Sequence, residues 1–78
     1  MLLEGVTRID SRAFSGCSTL KSIIIPDSVT TIAYDAFYGC TLLTNVYYTG
    51  TEEQWNNIYI SSSNTYLENA TIVYNYKV

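Results

Sequence analysis

The chain has 78 residues, so it can form one domain at most, and a chain of this size buries only about 60–65% of its unfolded surface. Seven acidic and four basic residues, without histidine, give a net charge of -3 and no basic cluster, so nucleic acid is not expected as a partner. The longest apolar run, residues 23–25, is far shorter than the roughly 18 residues of a membrane-spanning helix, so membrane insertion is not expected either.

A repeat with a period of 23 residues organises the sequence. Residues 6–28 and 29–51 share eight identical positions, including an Ala-Phe-x-Gly-Cys motif at 13–17 and again at 36–40. A fixed period in the 20s is typical of a solenoid, in which each repeat forms one coil and buries its apolar face only against its neighbours.

The same shift aligns residues 2–6 with residues 25–29, so we expect residues 1–5 to be the remnant of a preceding repeat. The sequence therefore predicts a single repeat domain over residues 1–78. Its parts are the remnant at 1–5, repeats at 6–28 and 29–51, and a C-terminal cap at 52–78.

Within the first repeat, residues 6–9 predict a very short strand. Segment 10–16 is too short for a regular helix and predicts a 3₁₀ or irregular turn, which carries Phe14 inward and ends at Gly16, where a positive φ is available. A second strand follows and ends at Pro26, because proline has no N–H to donate to a ladder.

The inward-pointing positions of these elements form the predicted core. Phe14 and Phe37 share one repeat position, so we expect their rings to stack in neighbouring coils. The full predicted core comprises Val6, Ile9, Phe14, Cys17, Leu20, Ile23, Ile25, Val29, Ile32, Phe37, Cys40, Leu43, Val46, Trp55 and Ile72.

The second repeat ends at residue 51, and Thr51 is the predicted N-cap of a helix. Thr51 and Gln54 form a capping-box pattern, which predicts a short helix at about 52–58. Residues 61–64 are polar and predict a loop. Residues 70–75 predict the last strand of the same parallel sheet, with the helix as its right-handed crossover.

These motifs resemble the BspA-type leucine-rich repeat of bacterial surface proteins. The resemblance is carried by Val-Thr-x-Ile at 6–9 and 29–32, the two Ala-Phe-x-Gly-Cys motifs, residues 20–26, and a segment at 47–55 that is similar to the unit ending such arrays. It implies an α/β solenoid of β-rich leucine-rich repeats, with a short parallel sheet, 3₁₀ or irregular turns, and one short helix in the C-terminal capping unit.

The resemblance also implies a function. Family members are mostly secreted or anchored at the bacterial surface and are implicated in adhesion and in host or matrix binding. For this chain the resemblance implies adhesion through a protein (or glycan), extracellular-matrix or host-surface ligand. We therefore expect a non-catalytic module without cofactors, located outside the cell or at its surface, with its signal peptide outside this chain. The alternative is a purely structural cap of a longer solenoid, with recognition elsewhere.

A carbohydrate-active enzyme fragment is a further alternative. A glycosidase needs two carboxylates about 5–10 Å apart across one sugar. Asp10 and Asp35 are predicted on the outer turns, whereas Glu52 and Glu53 begin the helix, so no shared cleft is indicated and no enzyme is expected.

Two cysteines, Cys17 and Cys40, occupy equivalent positions of adjacent coils. A coil spacing of about 4.8 Å would allow a disulfide by distance, but parallel side chains fit its geometry poorly, so we predict free buried thiols. A metal site is not expected from two thiols without histidine. Arg12 and Asp35 also share a repeat position, and we predict an ion pair between them.

The face of the predicted sheet that points away from the core is the candidate binding surface. Its apolar and aromatic residues would form a strip of the kind that often marks interfaces, although ordinary cross-strand pairing explains the same pattern. The candidate residues are Ser22, Ile24, Asn45, Tyr47, Thr71 and Val73.

The N-terminal end is predicted to be uncapped. An open solenoid end exposes apolar residues and unpaired strand edges, so we expect the isolated chain to form a homo-oligomer through it. The competing outcome is that residues 1–5 fold over the end as a lid. The exposed rim would comprise Leu2, Leu3, Val6, Ile9, Phe14, Leu20 and Ile23.

Overall fold

The computed structural model describes residues 5–78, and the predicted remnant with Leu2 and Leu3 lies outside the described residues, apart from Gly5. The described part consists of short strands and two short helices. In chain order they are β1 Arg8–Ile9, β2 Ser22–Ile25, β3 Thr31–Ile32, β4 Asn45–Tyr48, α1 Glu52–Asn56, β5 Tyr59–Ile60, α2 Thr65–Glu68 and β6 Thr71–Val73.

The strands form two three-stranded parallel sheets, β1-β3-β5 and β2-β4-β6. Each coil contributes one strand to each sheet. The first two coils are related by the 23-residue shift, since Arg8 pairs with Thr31 and Ser22 pairs with Asn45. These short parallel sheets with few helices confirm the predicted β-rich leucine-rich-repeat solenoid.

A third coil replaces the simple helical crossover that the sequence predicts. Helix α1 ends at Asn56 instead of residue 58, and the chain then forms β5 and α2 before it reaches β6. The prediction of a single sheet and a single helix was wrong in this respect. Residues 61–64 are also not simply a polar loop, because Asn64 is fully buried before α2.

The turn between the two strands of each coil has a repeated backbone conformation. In the first coil, alternate N–H groups bond to the carbonyl three residues earlier, as in Ala13 N–H to Asp10 O at 3.1 Å, while the N–H groups between them bond to the second coil. The segment forms turns instead of a 3₁₀ helix. Arg12, Asp35 and Ser63 have positive φ of 63°, 59° and 65° at this position in the three coils. A left-handed residue therefore recurs at the same place of the turn in all three coils.

Glycine supplies the left-handed conformation that ends the turn in the first two coils. Gly16 and Gly39 have φ of 78° and 77°, as predicted for Gly16. A Cβ at Gly39 would lie 3.5 Å from the Gly16 backbone. Between the coils, the Phe14 N–H donates to Ala36 O at 2.8 Å and the Gly16 N–H donates to Tyr38 O at 2.7 Å.

The core runs along the solenoid between the two sheets. Phe14 and Phe37 stack with ring centroids 5.2 Å apart and an interplanar angle of 11°. The structure buries ten of the predicted core residues: Ile9, Ile23, Ile25, Val29, Ile32, Phe37, Cys40, Leu43, Val46 and Trp55. Ile9 and Ile23 were also predicted on the exposed N-terminal rim, and that part of the prediction was wrong, because both side chains point into the core.

Five predicted core residues are only half-buried, although they pack against the core. They lie in the first and third coils, which each have a described neighbouring coil on one side only. Four of the half-buried residues lie in the first coil and one lies in the third: Val6, Phe14, Cys17, Leu20 and Ile72.

Candidate functional site

The sheet β2-β4-β6 presents one face to the core and its other face, here called the open face, away from it. Side chains alternate along each strand, so Ile23, Ile25, Val46 and Tyr48 are buried while their neighbours point outward. The structure thus places the residues of the predicted binding surface on a single face.

The parallel register arranges the open face in two rows. Ser22, Asn45 and Thr71 pair across the three strands, and Ile24, Tyr47 and Val73 pair in the next outward row. The first row is polar and the second is apolar and aromatic. The exposure of these side chains increases toward β6: the outward residues of β2 and β4 are half-buried, whereas Thr71 and Val73 are exposed.

Tyr76 extends the apolar row, and sequence reasoning did not identify it. Its ring lies 4.8 Å from that of Tyr47, at 37°. The backbone holds it there, since Tyr76 N–H donates to Tyr48 O at 2.9 Å and Asn75 N–H donates to Gly50 O at 2.8 Å. The last strand ends at Val73 instead of residue 75, and Asn75 turns the chain with φ of 56°.

Helix α1 supports β4 from the core side. The predicted capping box is confirmed: Gln54 N–H donates to Thr51 Oγ1 at 3.2 Å, and Thr51 N–H donates to Gln54 Oε1 at 2.8 Å. Trp55 packs edge-on against Tyr48, with centroids 5.1 Å apart. Burial, and secondarily the Asp27 carboxylate, raises the pKa of the Tyr48 phenol.

Gly50 makes room for this cap. A Cβ at Gly50 would lie 2.6 Å from Gln54 Oε1, 2.7 Å from Tyr48 Cε2 and 2.9 Å from Asp27 Cβ. Such distances are shorter than any real Cβ contact, so a side chain at this position would displace the capping amide. The end of β4 and the start of α1 are therefore fixed by close packing.

The two cysteines are free thiols, at equivalent positions of the first two coils. The Cys40 thiol donates to the Phe14 carbonyl oxygen at 3.0 Å. Burial, and secondarily the neighbouring Cys17, raises the pKa of the Cys40 thiol. A buried thiol with a raised pKa is a packing group, because nucleophilic cysteines have lowered pKa values.

Arg12 and Asp35 form the predicted ion pair across the first two coils, with Nε and Oδ2 3.8 Å apart. Asp35 Oδ1 is buried without a hydrogen-bond partner in the described range. Arg8 and Asp10 form a second, exposed pair at 3.0 Å, which was not predicted. In residues 5–78, no group of three or more acidic or cysteine side chains is placed to hold a metal ion.

The chain is similar to proteins of one known architecture. The family model described as "BspA type Leucine rich repeat region (6 copies)" matches residues 1–77. Among solved structures, a leucine rich cell surface protein from Faecalibacterium prausnitzii A2-165 is similar, with a TM-score of 0.74 and 46% sequence identity. The match covers 80% of this chain and 17% of that one, so this chain spans about a sixth of the relative's length. No curated protein matches the chain.

Neither helix within residues 5–78 has the length or apolar character to reach across a bilayer.

Proposed function

We propose a function from the premise that this chain belongs to the BspA-type leucine-rich repeat family. The chain is a non-catalytic module of a bacterial cell-surface or secreted protein, and it binds a protein ligand in adhesion. The family and the description of the similar structure favour a non-catalytic repeat module and a location at the surface or outside the cell. The ligand class and the adhesive role are our proposal.

The open face is the observation that carries this proposal. Its apolar row of Ile24, Tyr47 and Val73 lies beside the polar row of Ser22, Asn45 and Thr71. Protein interfaces combine an apolar, aromatic centre with a polar rim in this way. A parallel sheet normally has both faces covered, so a partly exposed apolar row favours a partner on it.

The open face is also preorganised for binding. Tyr76 stacks on Tyr47 and is held by a backbone hydrogen bond to Tyr48 O. Because the ring of Tyr47 is already ordered, a ligand that packs on it loses less side-chain entropy. Tyrosine offers a large contact area together with a hydroxyl group, which suits a protein partner.

A structural cap is the second candidate function. The third coil places Trp55, Ile58 and Leu67 in the core, each less than a tenth exposed. It is also longer than the others, since Thr31 pairs with Tyr59 at a shift of 28 and Asn45 pairs with Thr71 at a shift of 26. A long coil that buries large side chains at the end of a repeat array would close its core.

Cell adhesion distinguishes the two candidates. Beads coated with the chain should adhere to an epithelial monolayer, and protease treatment of the monolayer should abolish adhesion. Thr71→Lys, which places a charge on the open face, should reduce adhesion, because a desolvated unpaired charge opposes binding. Thr41→Lys is the matched control, at an exposed position outside this face. Equal adhesion of both variants would favour the structural cap.

The strand edges of the first coil support a separate proposal about partners. Among the described residues, β1 and β2 are outer strands of their sheets and pair on one side only, as β5 and β6 do at the opposite side. Unpaired strand edges accept another strand. We propose that the isolated chain self-associates through this side.

A further inference from the structure

We infer that a groove between the second and third coils binds a neutral saccharide of one or two rings. The groove has a volume of about 340 Å³ and is lined by Tyr38, Ser63, Thr65 and Tyr66. It is separate from the open face, because none of these residues lies on the sheet β2-β4-β6. The inference goes beyond the protein-binding function proposed above, and either can fail alone.

The two tyrosines are exposed although they are large and partly apolar. Tyr38 is 60% exposed on the turn of the second coil, and Tyr66 is 41% exposed on α2. The 23-residue shift places Ser15 at the equivalent position of Tyr38 in the first coil. The coil therefore folds with a small polar residue at this position, so folding does not account for a tyrosine there.

Buried Asn64 fixes the two sides of the groove relative to each other. Asn64 is fully buried, and its Oδ1 accepts from Phe37 N–H at 2.9 Å. Its Nδ2 donates to Ala33 O and to Ser61 O, both at 3.0 Å. Phe37 directly precedes Tyr38, and Asn64 directly precedes Thr65. The amide thus joins the turn that carries one tyrosine to the start of the helix that carries the other.

The rim beside Ser63 is fixed as well. Ser63 has a φ of 65°, and Asp35 N–H donates to Ser62 O at 3.3 Å. The groove is therefore formed before a ligand arrives, and a weak ligand need not supply energy to order it. This matters for small sugars, which offer few contacts.

The lining selects the chemistry of the ligand. All four residues are uncharged at neutral pH, so the groove offers no ionic partner to a phosphate, a carboxylate or an ammonium group. Tyrosine rings have an electron-rich face, which attracts the polarised C–H groups on the flat side of a pyranose. Four hydroxyl groups both donate and accept hydrogen bonds, as sugar hydroxyls do.

The size of the groove limits the length of the ligand. Ligand sites have volumes of about 300–1,000 Å³, so this groove is at the small end of the range. One or two pyranose rings are the fitting length. A folded protein partner would require a much larger complementary surface.

NMR titration of the whole ¹⁵N-labelled chain tests the inference. The probes are cellobiose, maltose, lactose and N,N′-diacetylchitobiose, with digalacturonic acid as an anionic comparison. At least one neutral disaccharide should shift the amide signals of Tyr38, Ser63, Thr65 and Tyr66 saturably, and digalacturonic acid should not. Saturable shifts confined to the open face, or no saturable shift with any of the four neutral sugars, would overturn the inference.

Variants test whether sugar affinity depends on stacking against the ring of Tyr38. Tyr38→Ser copies the residue of the first coil and should weaken binding about three- to ten-fold, the loss expected for one aromatic contact. Tyr38→Phe should retain most of the affinity, because it keeps the ring. Tyr59→Ala is the matched control, since Tyr59 is 66% exposed on β5 outside the groove. Equal weakening by Tyr59→Ala, or none by Tyr38→Ser, would overturn the assignment.

The outcome is independent of adhesion to cell-surface protein. Tyr38→Ser beads should still adhere to an untreated monolayer, whereas Thr71→Lys should leave the sugar titration unchanged. If Thr71→Lys abolished the sugar shifts at the groove, the two sites would not be separate and the inference would fail.

Discussion

Asn64→Ala tests how the second and third coils are held together. The amide makes three buried or part-buried hydrogen bonds, to Phe37 N–H, Ala33 O and Ser61 O. Each buried backbone group that loses its partner costs about 1–3 kcal/mol. Ser61 is half-buried and can be reached by water, so the two other groups dominate and we expect a total cost of about 2–6 kcal/mol. A domain of this size has about 4–12 kcal/mol in all, so the variant should lose a large part of its stability.

The assay is urea unfolding, followed by circular dichroism and by fluorescence of Trp55. The matched control is Asn56→Ala, at an exposed position of α1, where alanine's higher helix propensity should leave stability unchanged or slightly increased. A loss below about 1 kcal/mol for Asn64→Ala would refute the reasoning, because it would mean that the three backbone groups find other partners.

Three further predictions concern the core, the thiols and the strand edges. Phe37→Ala should cost about 3–5 kcal/mol, because its ring is fully buried, whereas Phe14→Ala should cost less, because Phe14 is half-buried; equal losses in urea unfolding would contradict this. Mass spectrometry of the unreduced protein should find no intramolecular disulfide. Because the pKa of Cys40 is raised in the folded state, its contribution to stability is full below the unfolded pKa of about 8.5 and falls as pH rises above it. Between neutral and alkaline pH, the Cys40→Ala variant should therefore lose less stability than the unaltered chain, and an equal loss in both proteins would contradict this prediction. Light scattering of the isolated chain at high micromolar concentration should give a mass above that of a monomer, and Val6→Asp should lower it; a monomer mass for the unaltered chain would refute self-association.

The first two coils were predictable because the same physical requirements occur twice. Phe14 and Phe37 fill equivalent positions, and Gly16 and Gly39 supply the same positive φ, so the sequence must repeat these residues at the same spacing. The alternation of inward and outward residues along β2 and β4 then fixed which side chains lie on the open face.

The third coil was not predictable in detail because its signals are short. Strand β5 has two residues and α2 has four, which is too few for a period of two or of 3.6 to be visible. Its strand registers are displaced by 28 and 26 residues, so it does not align with a 23-residue repeat. Asn64 lies in a polar stretch, and only its surroundings show that it is buried and bonded.

The proposed binding residues outside the sheet were unpredictable for a similar reason. Tyr76 meets Tyr47 only because Asn75 turns the chain with a positive φ, and asparagine indicates such a turn only weakly. Tyr38 and Tyr66 line one groove because α2 lies beside the turn of the second coil. Neither arrangement follows from spacing along the sequence.

The most direct test of binding through the open face compares Tyr47→Ser with Tyr59→Ser in bead adhesion to an epithelial monolayer. Both replace a tyrosine on a strand, but Tyr47 lies at the centre of the open face and Tyr59 lies on the other sheet. Melting curves by circular dichroism establish that each variant is folded at the assay temperature. The account predicts that Tyr47→Ser loses most of the protease-sensitive adhesion while Tyr59→Ser retains it. Retained adhesion of folded Tyr47→Ser, or an equal loss in both variants, would contradict the assignment of the open face as the binding surface.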